Sequence, residues 1–171
     1  MNYPLILLLS IAMFAVSSSP IIARYLENVP AVSISFWRMG FGALILWSIS
    51  LFRKQNPLPY RLRNKTILAG IFLGIHFAFF FTAIKLTTIA NATFLGTLAP
   101  LFTFLIEKIF LKRNHHFTLL IGLGLALSGA TIIVGNQFDF STNYTMGNLL
   151  AVACSLLLGI AFIISENVRK E

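Results

Sequence analysis

The sequence predicts an all-α fold, a polytopic membrane bundle of six transmembrane helices. Three observations carry that prediction. Of 171 residues, 57% are hydrophobic and only 11% charged, whereas a soluble domain carries about a quarter charged. The apolar residues, seventeen Phe among them, run in blocks rather than along one face of each turn, so lipid is the solvent. The basic residues behind the net charge of +8 cluster in short segments between those blocks. That is the distribution of topology signals, without the aromatic-interleaved basic surface a nucleic acid would need.

Six blocks reach the roughly 20 residues a bilayer-crossing helix requires. They are Leu5–Ala23, Val32–Phe52, Thr66–Ile84, Ala90–Leu111, Phe117–Gly135 and Met146–Ser165. Helices are the assignment, since open strands would leave backbone groups unpaired in hydrocarbon. The first block ends in the small residues Ser17–Ser19 like a signal peptide. It lacks a basic leading segment and five spans follow, so it reads as a retained helix. The lone Cys154 lies inside the sixth block and excludes an intrachain disulfide.

Charge alternates between the connections. Arg53, Lys54, Arg61, Arg63, Lys65, Lys108, Lys112, Arg113, Arg169 and Lys170 make ten Lys or Arg on one side, against Arg24 and Lys85 on the other. The positive-inside rule places the ten, and with them the N-terminus, in the cytoplasm. Leu149–Ser165 echoes Leu5–Ile21 with small residues at matching depth. Five helices separate the echoes, so a second copy would start in the opposite orientation, as in inverted-topology repeats.

Ionisable groups within the bilayer are costly and call for a partner or a wet cavity. His76, in GIHFAFFFTAIK, lies roughly 15 Å into the third helix, near the midplane. It is either packing glue bonded to a neighbouring helix or a cavity group that contacts substrate or carries a proton. Thr93, Gly96, Pro100, Thr103 and Glu107 follow at spacings of 3, 4, 3 and 4, which puts all five on one helical face. Small, hydroxyl and acidic residues make poor lipid-facing surface, so the stripe faces protein or water. Pro100 removes one backbone hydrogen bond and kinks the helix. Glu107 either lines that pathway or reaches the interface to meet Lys108 and the basic loop. Arg38, roughly 9 Å below the external end of the second helix, reads from physics alone as a snorkelling side chain.

Other features read as structural. Gly122, Ala126 and Gly129, and likewise Ala151, Ser155 and Gly159, are small residues at helix-packing spacing. The Phe run at 77–81 reads as filler. Asn143-Tyr-Thr matches a glycosylation sequon that means little without a secretory context.

Phe36–Trp47 (FWRMGFGALILW), Gly74–Phe102 (GIHFAFFFTAIKLTTIANATFLGTLAPLF) and Ile121–Val134 (IGLGLALSGATIIV) together resemble the EamA-type branch of the drug/metabolite transporter superfamily. The matching features are an Arg early in the second helix, an "A-[IL]-K/R-x-T-[ST]" turn and an "L-x-P-L-F" fourth helix. A "G-x-x-L-x-x-x-G" fifth helix completes the set. The resemblance covers nearly all of residues 5–165. It implies a ten-helix inverted-repeat transporter whose central cavity is lined by the third and fourth helices of each half. Residues 1–136 would form the first five-helix repeat and 137–171 the start of the second, so the chain reads as truncated. One departure is LKRN at Leu111–Asn114, where the family often carries an acid; Glu107 is offset inward. The match gives Arg38 a helix–helix partner as a structural intramembrane charge, and favours the cavity role for His76.

The function this implies is secondary transport of a small metabolite, an amino acid or related polar or amphipathic compound, with export the expected direction. It would work by alternating access about a midplane site. The expected substrate pathway is His76, Thr93, Gly96, Pro100, Thr103 and Glu107, with proton coupling open to His76 or Glu107. No Gly-rich phosphate loop with a Lys is present, which disfavours ATP-driven transport. No catalytic residue, metal or cofactor is expected. A membrane-embedded enzyme is disfavoured because His115 and His116 are the interfacial histidines and no acid follows them at one-turn spacing. The alternative is a truncated fragment that transports nothing, its cavity half-walled. The expected partners are the small-molecule substrate, the lipid bilayer, and a missing second repeat or a second copy, with no nucleic acid. The expected location is the plasma membrane, the inner membrane in a bacterium.

Overall fold

The computed structural model describes residues 3–52, 58–135 and 141–170. Among these residues seven α-helices follow in order: α1 Tyr3–Tyr25, α2 Ala31–Phe52, α3 Tyr60–Leu86, α4 Ile89–Gly96, α5 Ala99–Ile109, α6 Phe117–Val134 and α7 Thr145–Lys170. No strand occurs among the described residues. With α4 and α5 taken as one broken span, six segments are long and apolar enough to cross a membrane. The expected bundle is therefore observed. Helices α3 and α7 extend five or six residues beyond the predicted blocks, through Tyr60–Lys65 and Glu166–Lys170. Hydropathy finds only the part of a helix that lies in hydrocarbon, and these polar turns continue past it.

The fourth span breaks where Pro100 predicts a kink. Helix α4 ends at Gly96, and Pro100 occupies the first turn of α5, where its missing N–H costs nothing. At the break the Leu95 carbonyl takes a long bond from the Leu98 N–H, 3.3 Å, and also accepts the Ser155 hydroxyl of α7.

The α3–α4 turn explains the KLTT stretch residue by residue. Thr87 closes α3, its N–H bonded to the Ala83 carbonyl at 2.9 Å, and Thr88 caps α4 by accepting the Asn91 N–H at 3.0 Å. Two cations then satisfy helix ends reciprocally. Arg24, at the end of α1, donates to the Ile84 and Thr87 carbonyls at the end of α3. Lys85 donates to Leu26, Glu27 and Val29 just past α1. Each places a positive charge on the negative end of a helix dipole, which accounts for the two basic residues on the side that is poor in them.

Helix α7 runs antiparallel to α3 and packs along it, with further contacts to α4 and α5. Its buried residues are Gly147, Ala151, Cys154, Ser155, Gly159, Ala161 and Ile163, so the packing expected of Ala151, Ser155 and Gly159 is met. A Cβ on Gly147 would lie 2.7 Å from the Leu86 carbonyl carbon, and one on Gly159 would lie 3.1 Å from the Thr103 hydroxyl. Only small residues let the backbones approach this closely. The buried core sits at the Arg24–Lys85 end, where Ala23, Phe81, Ala83, Ile84, Ala92 and Ala151 meet. Antiparallel packing puts Arg61, Arg63 and Lys65 at the same end as Lys108–Arg113 and Arg169, as the charge pattern requires. Arg53, Lys54 and Asp139 lie outside the described residues.

The packing expectation for α6 is not met. Nothing lies within 4 Å of a Cβ placed on Gly122 or Gly129, and none of its residues is buried. Small residues identify a face that can be approached, not one that is covered.

Candidate functional site

Two cavities flank the α4–α5 break, and the predicted stripe is divided between them. The upper one, about 410 Å³, is lined by Val16, Ser17, Ser19 and Pro20 of α1, Arg38 of α2 and His76, Phe77 and Phe80 of α3. Thr93, Gly96, Thr97 and Leu158 complete it. The lower one, about 640 Å³, is lined by Thr97, Pro100, Thr103, Phe104 and Glu107. His115, Phe162 and the Leu119–Ala130 face of α6 close it. Of the predicted pathway residues, His76, Thr93 and Gly96 thus meet in the upper cavity, and Pro100, Thr103 and Glu107 in the lower. Thr97 touches both, and the reading of the stripe missed it. The signal was available, because Thr97 lies four residues after Thr93 and three before Pro100.

His76 is buried, and its Nδ1 lies 2.8 Å from the Cys154 carbonyl of α7. A carbonyl only accepts, so Nδ1 carries the hydrogen and the neutral ring keeps Nε2 as an acceptor. The ring packs against Phe77 and Phe80, centroids 4.9 and 6.2 Å away. His76 thus bridges α3 to α7 and also borders a cavity.

Arg38 does not snorkel. Its guanidinium turns inward, donates to the Ser19 hydroxyl of α1 and lies 4.8 Å from the Phe77 ring centroid and 5.8 Å from that of Phe81. A hydroxyl partner and two aromatic faces hold the cation inside the bundle, tying α1, α2 and α3 together beside His76. The remaining donors of the fork are directed from a residue that borders the upper cavity.

The threonines spend their hydroxyl hydrogens locally. Thr93 donates to Ile89 at 2.6 Å, Thr97 to Phe94 at 2.6 Å and Thr103 to Ala99 at 3.0 Å. Each presents acceptor lone pairs only. In the upper cavity Arg38 is the charged donor, with hydroxyl oxygens and the His76 acceptor near it and Phe77 and Phe80 as an aromatic wall.

At the base of the lower cavity Glu107 binds Arg113 of the α5–α6 loop, and Arg113 also binds Glu166 of α7 at 2.7 Å. His115 Nε2 lies 3.4 Å from Glu107, is buried and makes no hydrogen bond among the described residues. The bond to Glu166 raises the Arg113 pKa above the ordinary guanidinium value; burial opposes it less strongly, and the bond to Glu107 adds to the rise. Lys108 instead lies over the Phe104 ring at 5.6 Å, so the basic-loop partner of Glu107 is Arg113. Among the described residues no cluster of three or more His, Cys, Asp or Glu side chains is close enough to hold a metal.

A buried polar node joins α3, α4 and α7 above the upper cavity. Asn148 Oδ1 accepts the Thr87 hydroxyl at 2.8 Å and the Asn91 amide at 3.0 Å. It was not anticipated, since its members are scattered over sixty residues of sequence.

A family model described as the EamA-like transporter family matches residues 3–135. Among curated proteins, the chain is similar to solute carrier family 35 member G1 of Mus musculus, at 26% identity over 95% of this chain and 47% of that protein. It is 26% identical to the aromatic amino acid exporter YddG of Ancylobacter novellus, over 99% of this chain and 58% of that protein. The uncharacterized transporter YdfC of Bacillus subtilis is 27% identical over 80% of this chain and 44% of its own length. The chain spans about half the length of these relatives. No solved structure matches it.

Proposed function

Because the chain belongs to the EamA-like transporter family, we propose that it forms one side of a carrier for a small carboxylate bearing an apolar or aromatic group, an amino acid or close relative, moved outward by alternating access. The observation that carries this reading is the pairing of Arg38 with His76 on one cavity of about 410 Å³ walled by Phe77 and Phe80. A guanidinium in a low-dielectric cavity selects an anionic group. His76 Nε2 accepts from an ammonium, and the aromatic wall takes the side chain. The name of the YddG relative, an aromatic amino acid exporter, agrees with that chemistry.

Residues 1–136 act as the first repeat and 137–171 as the opening of the second. A full second repeat, or a second copy, covers the open face of α6 and completes the walls. The ten basic residues face the cytoplasm, so the N-terminus does too, in the plasma membrane. Transport then moves substrate between the upper cavity and the lower one past Thr97, with Glu107–Arg113–Glu166 at the cytoplasmic mouth. The carrier binds and releases its substrate without chemical change.

The test is flux of a panel of labelled aromatic and aliphatic amino acids into proteoliposomes of the full-length protein, with Arg38→Gln as the comparison. Deleting one charge-assisted hydrogen bond to the substrate lowers flux roughly 10- to 150-fold. Flux of every panel member unchanged by Arg38→Gln would remove the proposal.

A further inference from the structure

A third cavity, separate in chemistry from the two above, lies at the α5–α6 end of the bundle. It measures about 440 Å³ and is lined by Phe104 and Lys108 of α5, Lys112–His115 of the loop, and Leu120 of α6. The left-handed backbone of Lys112, φ 51°, ends α5 and folds the loop back so that the bond from the Arg113 N–H to the Glu107 carbonyl forms at 3.0 Å. That fold gathers Lys108, Lys112 and Arg113 about one space.

The charges there do not cancel. Arg113 is matched by Glu107 and Glu166. Lys108 and Lys112 have no carboxylate partner among the described residues. The Lys108 ammonium lies over the Phe104 ring, 5.6 Å from its centroid, where it borders the cavity. Asn114 adds an amide donor. Two unmatched ammonium groups and an amide around a cavity call for an anion with several acceptor oxygens, which is phosphate chemistry.

The surroundings decide the source. Phe104 and Leu120 form part of the wall, and Ile109 and Phe110 beside it are 61% and 77% exposed. A free phosphate ion gains nothing from such surface, whereas the acyl chains of a lipid cover it. We propose that the cavity bounded by Lys108, Lys112, Arg113 and Asn114 binds the phosphate of an anionic phospholipid whose chains lie on Ile109, Phe110 and Leu120 at the start of α6. The site belongs to the end of the bundle that carries the basic excess, where acidic headgroups are found. Its occupant bridges α5 to α6, the helix that the protein itself leaves least packed.

The experiment is native mass spectrometry of the full chain extracted from nanodiscs of phosphatidylcholine with phosphatidylglycerol. The wild type is expected to retain phosphatidylglycerol selectively. Lys108→Gln with Lys112→Gln should weaken retention roughly 30-fold, the combined electrostatic contribution of two lysines at a membrane surface. Lys108→Arg with Lys112→Arg should restore it, which also shows that the fold survives change at these positions. Arg63→Gln with Arg169→Gln removes the same charge from the same end and should leave retention unchanged. The proposal is overturned by equal retention of the two lipids, by an equal fall in the Arg63/Arg169 control, or by displacement of phosphatidylglycerol with inorganic phosphate, which would make this a free-anion site.

Discussion

His76→Phe keeps an aromatic ring beside Phe77 and Phe80, 4.9 and 6.2 Å from their centroids, and deletes both ring nitrogens. The loss at Nδ1 is one interhelical hydrogen bond to Cys154. Such bonds are worth about 0.6 kcal/mol on average within membranes. The Cys154 carbonyl remains within the α7 helix, so no buried acceptor is orphaned. For a chain of this length the cost is a fall of about 1–3 °C in Tm. The loss at Nε2 is different, because on the present account it removes a hydrogen bond with substrate. A hydrogen bond from the substrate's ammonium is charge-assisted and worth roughly 10- to 150-fold in flux. His76→Asn separates the two nitrogens, since its short amide can donate near the Nδ1 position but places nothing at Nε2. Thermal unfolding in detergent and proteoliposome flux should therefore part company. The Asn variant should match the wild type in Tm and the Phe variant in flux. If the Asn variant transports like the wild type, and flux across the series tracks Tm, His76 is packing glue and its substrate role is refuted.

Three further outcomes follow from the packing. Asn148→Ala leaves the Asn91 amide, 0% exposed, without the Oδ1 acceptor it uses at 3.0 Å; a cost of about 1–3 kcal/mol should appear as a lower Tm, and no change would place water or another partner at that node. Gly147→Ala sets a Cβ 2.7 Å from Leu86, so overpacking of about 1–3 kcal/mol is expected at the α3–α7 contact, while Gly122→Ala, with nothing within 4 Å, should be neutral in the same melt. Glu166→Gln removes one partly exposed ion pair, worth about 0–1 kcal/mol, and loosens α7 from the α5–α6 loop, leaving the Arg113–Asn167 contact at 3.5 Å. It should speed thiol labelling of Ala126→Cys in the lower cavity, measured against the buried native Cys154, and equal labelling rates would show that the pair does not guard the mouth.

What could be read in advance, and what could not, divides along physical lines. The six spans and a kink near Pro100 depend on local composition, and local composition sufficed; the full break between α4 and α5 was not foreseen. The burial of His76 was legible because a lone imidazole interrupts an apolar run. Its partner was not, since that requires the register of α7 against α3. Arg38 marks the limit most sharply. A long flexible side chain can turn up to the interface or inward, and the choice rests with Ser19 and Phe77 on two other helices. For the same reason the Thr93–Glu107 stripe appeared as one line. The break at Thr97–Leu98 separates its halves into two cavities, and helical spacing carried across a break has no meaning. Gly122 and Gly129 were assigned to packing on spacing alone, and spacing cannot say whether a neighbour is there.

The claim on which the rest depends is that Arg38 reads a carboxylate in the upper cavity, and the direct measurement is a comparison of two ligands. Phenylalanine and phenethylamine share an aromatic ring and an ammonium group and differ in the carboxylate. In proteoliposomes of the full-length protein, the account predicts phenylalanine flux at least roughly 10-fold above that of phenethylamine, with the difference erased in Arg38→Gln. Equal flux of the two in the wild type, or a preference that survives the removal of Arg38, would contradict it.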